Sequence, residues 1–129
     1  MTVVTDTHPW IWFFTGSPRL SNHAKSILSD RANTIIVPSI VMLEIKYLYR
    51  RKRITVSFED ALHQIEGTGN LLLYPLDLSI VTDAPIALDI HDAIIVGTAL
   101  SLSNELDQQV PLVTVDESIT ASGLVPIIW

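Results

Sequence analysis

The 129-residue sequence contains no cysteine. That absence excludes a disulfide framework, a thiolate zinc site and a cysteine nucleophile, and it fits a reducing compartment. Long apolar runs are missing too. Residues 35–37, 71–74 and 93–102 are apolar, but each stretch is too short or too interrupted to span a bilayer. Residues 1–6 have no basic segment ahead of an apolar one, so no secretory signal is expected. The expected setting is the cytoplasm, with no membrane association. Positive charge is also scarce: eight Lys and Arg stand against fourteen Asp and Glu, for a net charge of −6. A simple nucleic-acid binder usually has the opposite sign.

Apolar residues, at 48% of the chain, are plentiful, and the mean hydropathy is +0.38. That is enough for one real core, and the length suits one domain covering residues 1–129. The few basic residues are not spread evenly. Lys46, Arg50, Arg51, Lys52 and Arg53 are five of the eight, so an acidic chain has one basic end of a segment.

Short β-branched or apolar runs alternate with amphipathic ones. Strands are expected at residues 2–5, 34–37, 71–76, 112–115 and 125–128. Helices are expected at 9–14, from the Ser17-Pro18 pair through Leu28, from Pro38-Ser39 to about Arg51, after the Ser57/Asp60 cap, near 79–83, and from about Asp92 to Ser103. Alternation of this kind predicts an α/β domain with a parallel sheet. Strands that are apolar on both faces predict helices on both sides.

Two acids directly follow strands: Asp6 after the first and Asp116 after the fourth. In an open parallel sheet the site lies at the carboxyl ends of the strands, where the strand order reverses. Either residue alone could equally be a turn residue or a helix cap. Glu44 sits inside an apolar helix, where an ionised carboxylate needs a metal or a partner such as Lys46. Asp92 opens an apolar helix with Asp89 three residues before it; one of the two can cap the helix, leaving the other for a site. Four converging carboxylates would repel one another unless a hard divalent cation joined them. Mg²⁺ and Mn²⁺ prefer such oxygens and can activate water beside a phosphoryl group. His8, His23, His63 and His91 fit no metal-binding spacing. Trp10, Trp12, Phe13 and Phe14 read as core or dimer surface rather than as a base-stacking set. The Arg50–Arg53 run reads either as a helix end facing solvent or as a grip on RNA phosphate.

The segments 4–8, 37–45, 89–100 and 112–119, in that order, resemble the four acid motifs of PIN domains, especially the VapC-type toxins of toxin–antitoxin pairs. Residues 125–129 are similar to a frequent finish in that group. The resemblance implies a five-stranded parallel sheet of order 3-2-1-4-5 and a site built from Asp6, Glu44, Asp92 and Asp116, with Asp89 and Thr114 in secondary positions. It further implies Mg²⁺ or Mn²⁺, RNA as substrate, a homodimer and an antitoxin partner. The pattern departs from the family in one respect: Ala93 stands where many members have an arginine after the third acid. The expected function is therefore a metal-dependent endoribonuclease toxin. The alternative is a catalytically inactive PIN fold serving as an RNA- or protein-binding module. A flavodoxin-like receiver domain is a third reading, disfavoured because no suitable lysine occurs late in the chain.

Overall fold

The computed structural model describes residues 1–129. Five parallel strands form one sheet: β1 (Thr2–Thr5), β2 (Thr34–Pro38), β3 (Leu71–Tyr74), β4 (Leu112–Val113) and β5 (Ile127–Ile128). Their order is β3-β2-β1-β4-β5, as the resemblance implied. Seven helices connect them: α1 (Thr7–Thr15), α2 (Asn22–Ser29), α3 (Ser39–Arg50), α4 (Phe58–Gly67), α5 (Leu78–Asp83), α6 (Ile90–Leu106) and α7 (Glu117–Ser122). Parallel pairing forces each connection to return along the sheet, and these helices make the returns.

The central strands are apolar because both of their faces are covered. Val3, Val4, Ile35, Val37, Leu112 and Val113 are fully buried. Helix α6 packs on β1 and carries buried residues all round, which explains its lack of a polar stripe. The edge strand β3 breaks the expectation of two covered faces: Leu72 is 50% exposed and Leu73 is 42% exposed.

Local signals set most helix ends. Ser57 and Asp60 form the expected capping box on α4. Gly16 ends α1 in the left-handed conformation, which lets its N–H reach back to Trp12 and Phe13 carbonyls. One start lies later than expected. The Ser17-Pro18 pair opens a turn, in which the Arg19 N–H donates to Ser17 Oγ, and α2 begins only after Ser21 caps Ala24 N–H. Serine can cap either kind of turn, and Leu20 is buried from the loop without needing a helix. Strands 3, 4 and 5 are also shorter than expected, because pairing stops where the chain turns into its next helix or loop.

Helices α5 and α6 make the tightest approach. A Cβ on Gly97 would lie 3.0 Å from both Ala84 Cα and the Ile80 carbonyl oxygen, which are backbone atoms with little freedom to move. Gly97→Ala should therefore destabilise the protein. Overpacking of about 1–3 kcal/mol outweighs a helix-propensity gain of at most about 1 kcal/mol. Urea unfolding checks this, and an unchanged or raised midpoint would show that α5 yields without cost.

Candidate active site

The site forms where β1 and β4 lie side by side and the strand order reverses. Val4 pairs with Leu112 and Thr5 with Val113, so the next residues, Asp6 and Thr114, emerge together at the carboxyl edge. Asp6 serves two partners. Its Oδ1 accepts the Thr7 N–H at 2.7 Å and caps α1, while its Oδ2 accepts the Thr114 hydroxyl at 2.6 Å. The same Thr114 oxygen accepts the Asp116 N–H at 3.0 Å. Asp116 in turn caps α7 through the Ile119 N–H at 2.9 Å. Capping and site placement, alternatives in the sequence, are here the same act. Thr114 is buried and joins the two acids directly.

Glu44 enters from α3. Its Oε1 is buried and has no hydrogen-bond partner. Lys46, one of the partners considered for it, instead lies over the Phe58 ring at 5.2 Å. The Thr7 hydroxyl, close enough to favour the Glu44 charge slightly, is likewise buried without a partner in bonding geometry. Asp92 enters from the first turn of α6. Asp89 stands at the N-cap position of that helix, but its side chain makes no capping bond and it is exposed. Neither aspartate thus spends its carboxylate on the helix end.

Asp6, Glu44, Asp92 and Asp116 influence one another's charge. Burial raises the Asp6 pKa above the usual carboxylate range. The Thr114 and Thr7 bonds and the nearby His8 oppose that shift, and Asp116 adds to it. Burial raises Glu44 as well, with Asp6 and Asp92 pushing the same way and His91 against. Asp92 is raised to about 6, first by burial and then by the charges of Asp116, Asp6 and Asp89. Asp6, Glu44 and Asp92 resist ionisation because water is partly excluded from them and charged neighbours stand nearby.

An open groove of about 460 Å³ leads away from this crevice along α3, lined in part by Glu44, His91, Leu43, Tyr47 and Arg51. The basic window is split by the fold. Arg51 lies in the groove of Glu44, while Arg50 and Lys46 line a neighbouring one with Leu43 and Tyr47. Lys52 adopts a left-handed backbone, and Lys52 and Arg53 are exposed past the end of α3.

The PIN-domain model matches residues 3–121. This chain belongs to the PIN-domain family. No curated protein matches it. Solved structures share the PIN fold at low identity. The VapBC2 assembly of Rickettsia felis, bound to a DNA fragment from its promoter, has a chain with a TM-score of 0.66 at 14% identity, over 98% of this chain and 97% of that one. VapC20 of Mycobacterium tuberculosis, a toxin that cleaves the sarcin–ricin loop, gives 0.62 at 18% identity, over 98% and 99%. A toxin–antitoxin complex from Klebsiella pneumoniae gives 0.55 at 18%, over 92% and 90%.

Repulsion within this PIN domain has a measurable sign. Because Asp92 is raised in the folded state, the metal-free protein binds more protons folded than unfolded between about pH 4 and 6. Its stability should fall as pH rises through that window. Asp92→Asn should flatten the fall and raise the melting temperature at pH 7. Thermal melts in chelator across pH 4–8 check this, and a variant melting below the wild type at pH 7 would mean that the Asp92 charge is favourably paired.

Proposed function

We propose that this PIN domain is an endoribonuclease that hydrolyses RNA phosphodiester bonds with a divalent cation, Mg²⁺ or Mn²⁺, and that it is the toxin of a toxin–antitoxin pair. The observation that carries the reading is the set of partly desolvated carboxylates at one strand-order reversal, one of them with a buried, unpartnered oxygen. Such a set is costly with nothing positive beside it, and a hard cation relieves the cost. No three of the acids stand close enough to form a ready-made cage. Mg²⁺ does not require such a cage, since it typically keeps several waters and takes one or two carboxylates together with substrate phosphate. Of Asp6, Glu44, Asp92 and Asp116, one or two would bind the ion directly and the others through its waters.

When bound, the ion would activate water and offset charge on the phosphoryl oxygens. The protein's own groups do the rest. Thr114 holds the Asp6 carboxylate in place, so Asp6 meets ion or substrate without first reorienting. Asp92, raised to about 6 without metal, is ionised at neutral pH and so able to face a cation. Arg51, two helical turns from Glu44 along the groove, offers a cation to the phosphates of a bound strand. Arg50 would reach the strand farther out, with Lys52 and Arg53 beyond it; Asp89 adds negative charge at the rim.

The similar structures support the toxin reading: one is described as cleaving the sarcin–ricin loop, and others as toxin–antitoxin assemblies. An antitoxin is therefore the proposed protein partner. A homodimer is proposed as well, through the exposed apolar surface of α5 and the start of α6. Val81 is 57%, Ile86 98% and Ile90 74% exposed along one apolar groove there, Leu78 is exposed on the same helix, and such apolar surface favours association. The cytoplasm, where RNA and antitoxin meet, is the proposed setting.

The absence of a preformed cage favours one rival, an inactive PIN fold that only binds RNA or protein. Cleavage assays decide between them. Chelation should abolish RNA cleavage and Mg²⁺ or Mn²⁺ restore it. Asp6→Asn, Glu44→Gln, Asp92→Asn and Asp116→Asn should each remove activity without unfolding the protein, since asparagine still caps α1 and α7. Wild-type protein that binds no Mg²⁺ and cuts no RNA would establish the binding module; full cleavage in excess chelator would refute metal dependence.

Strand binding tests the groove. Arg51→Ala should reduce the slope of log affinity against log salt by roughly 0.7 to 1, the loss of one phosphate contact. Arg53→Ala should change it less. Equal slopes for Arg51→Ala and the wild type would remove Arg51 from the path of the RNA.

A further inference from the structure

Three aromatic side chains outside the acid set form a row beside it. The His8 and Trp12 rings have centroids 5.8 Å apart and are tilted by 51°. Trp12 and Trp129 are also 5.8 Å apart and meet edge to face at 60°. The row begins at the crevice, for His8 lies two residues after Asp6 and near enough to stabilise its charge. The sheet brings its far end there too. Val113 pairs with Thr5 on one side and with Ile128 on the other, so the residues that follow (Asp6, Thr114 and Trp129) leave three adjacent strands at the same edge. At the usual strand spacing, the Trp129 backbone lies about 10 Å from that of Asp6.

The row is not a sealed packing contact. Trp10, in the same helix, is only 1% exposed, whereas Trp129 is 37% exposed, Trp12 is partly buried and His8 is exposed. An edge-on pair leaves ring faces uncovered, and Trp is a strong stacking surface for bases. A strand whose phosphate lies at Asp6 carries its next base to within reach of that surface.

We infer that the His8–Trp12–Trp129 row is the platform on which an unpaired base flanking the scissile phosphate stacks, with Trp129 as its principal face. The inference rests on the nucleic-acid reading of the acid crevice and adds to it the means of holding the strand. It also gives an acidic protein a source of strand affinity that does not depend on charge. Stacking accepts any base and favours single strands, because a paired base has no free face.

The test uses the 129-residue chain in Mg²⁺ with a short oligodeoxyadenylate and its abasic counterpart. The two have the same phosphates, differ only in their bases, and are not cut by a ribonuclease. Wild type should bind the adenylate strand more tightly than the abasic one, with quenching of tryptophan fluorescence to which buried Trp10 contributes nothing. Trp129→Leu keeps an apolar contact on Trp12 but has no π face. It should lose roughly 5- to 150-fold in affinity for the adenylate strand, the effect of one lost stacking contact, and bind the abasic strand as the wild type does. Trp129→Phe should restore most of the preference. Equal discrimination by Trp129→Leu and the wild type, with unchanged melting temperatures, would mark the row as packing or a protein-docking face and overturn the proposal. So would a wild type that binds both strands alike, or neither. Discrimination that depends on Trp129 without any RNA cleavage would leave the platform standing and remove the nuclease reading instead.

Discussion

Partial burial of carboxylates beside the joined ends of β1 and β4, with repulsion among them added, is the constraint on which the rest of this domain bears. The sheet delivers Asp6 and Asp116 to the same edge, and α3 and α6 deliver Glu44 and Asp92 against them. Folding alone gains little from such a grouping. Burial raises the cost of each charge, and each charge raises the cost of the next. What keeps the acids in position is backbone architecture: two helix caps, the Thr114 hydroxyl between them, and a large apolar core beneath. The core holds the acids where burial makes their charge costly.

Thr114 shows how much can depend on one hydroxyl. It donates to Asp6 and accepts from the Asp116 N–H, so one buried side chain couples two strands and two helix starts. Both acids retain one oxygen for capping, which aligns the carboxylates with the positive ends of α1 and α7. The helix ends thus offset part of the repulsion even before any cation arrives. Glu44 has no such support. Its unpartnered oxygen makes it the acid with most to gain from a ligand.

The surroundings divide the labour by chemistry. Positive charge enters on one side through Arg51 in the α3 groove, aromatic surface on another through Trp12 and Trp129, and exposed aliphatic surface on a third through Leu78, Ile86 and Ile90. A net charge of −6 does not bar a nucleic-acid strand from such a site. Phosphates respond to the local field within a Debye length, and most of the remaining acids are exposed to solvent, where salt screens them.

Periodicity and punctuation in the sequence by themselves determined the α/β class, most of the elements, the α4 capping box and the burial of α6, because these depend on contacts within a few residues. The four motifs, read as a resemblance, also carried the strand order. Where the sequence left alternatives, the deciding contacts were long-range. Asp6 caps its helix as a local signal allows, but its second bond comes from Thr114, 108 residues away. Whether Lys46 paired with Glu44 turned on where Phe58 packs. The start of α2 was misplaced because two serines had equal local claims and only packing chose between them. The aromatic row was illegible in the sequence: Trp12 and Trp129 become neighbours only when β5 closes the sheet beside β4, and no local pattern encodes that approach.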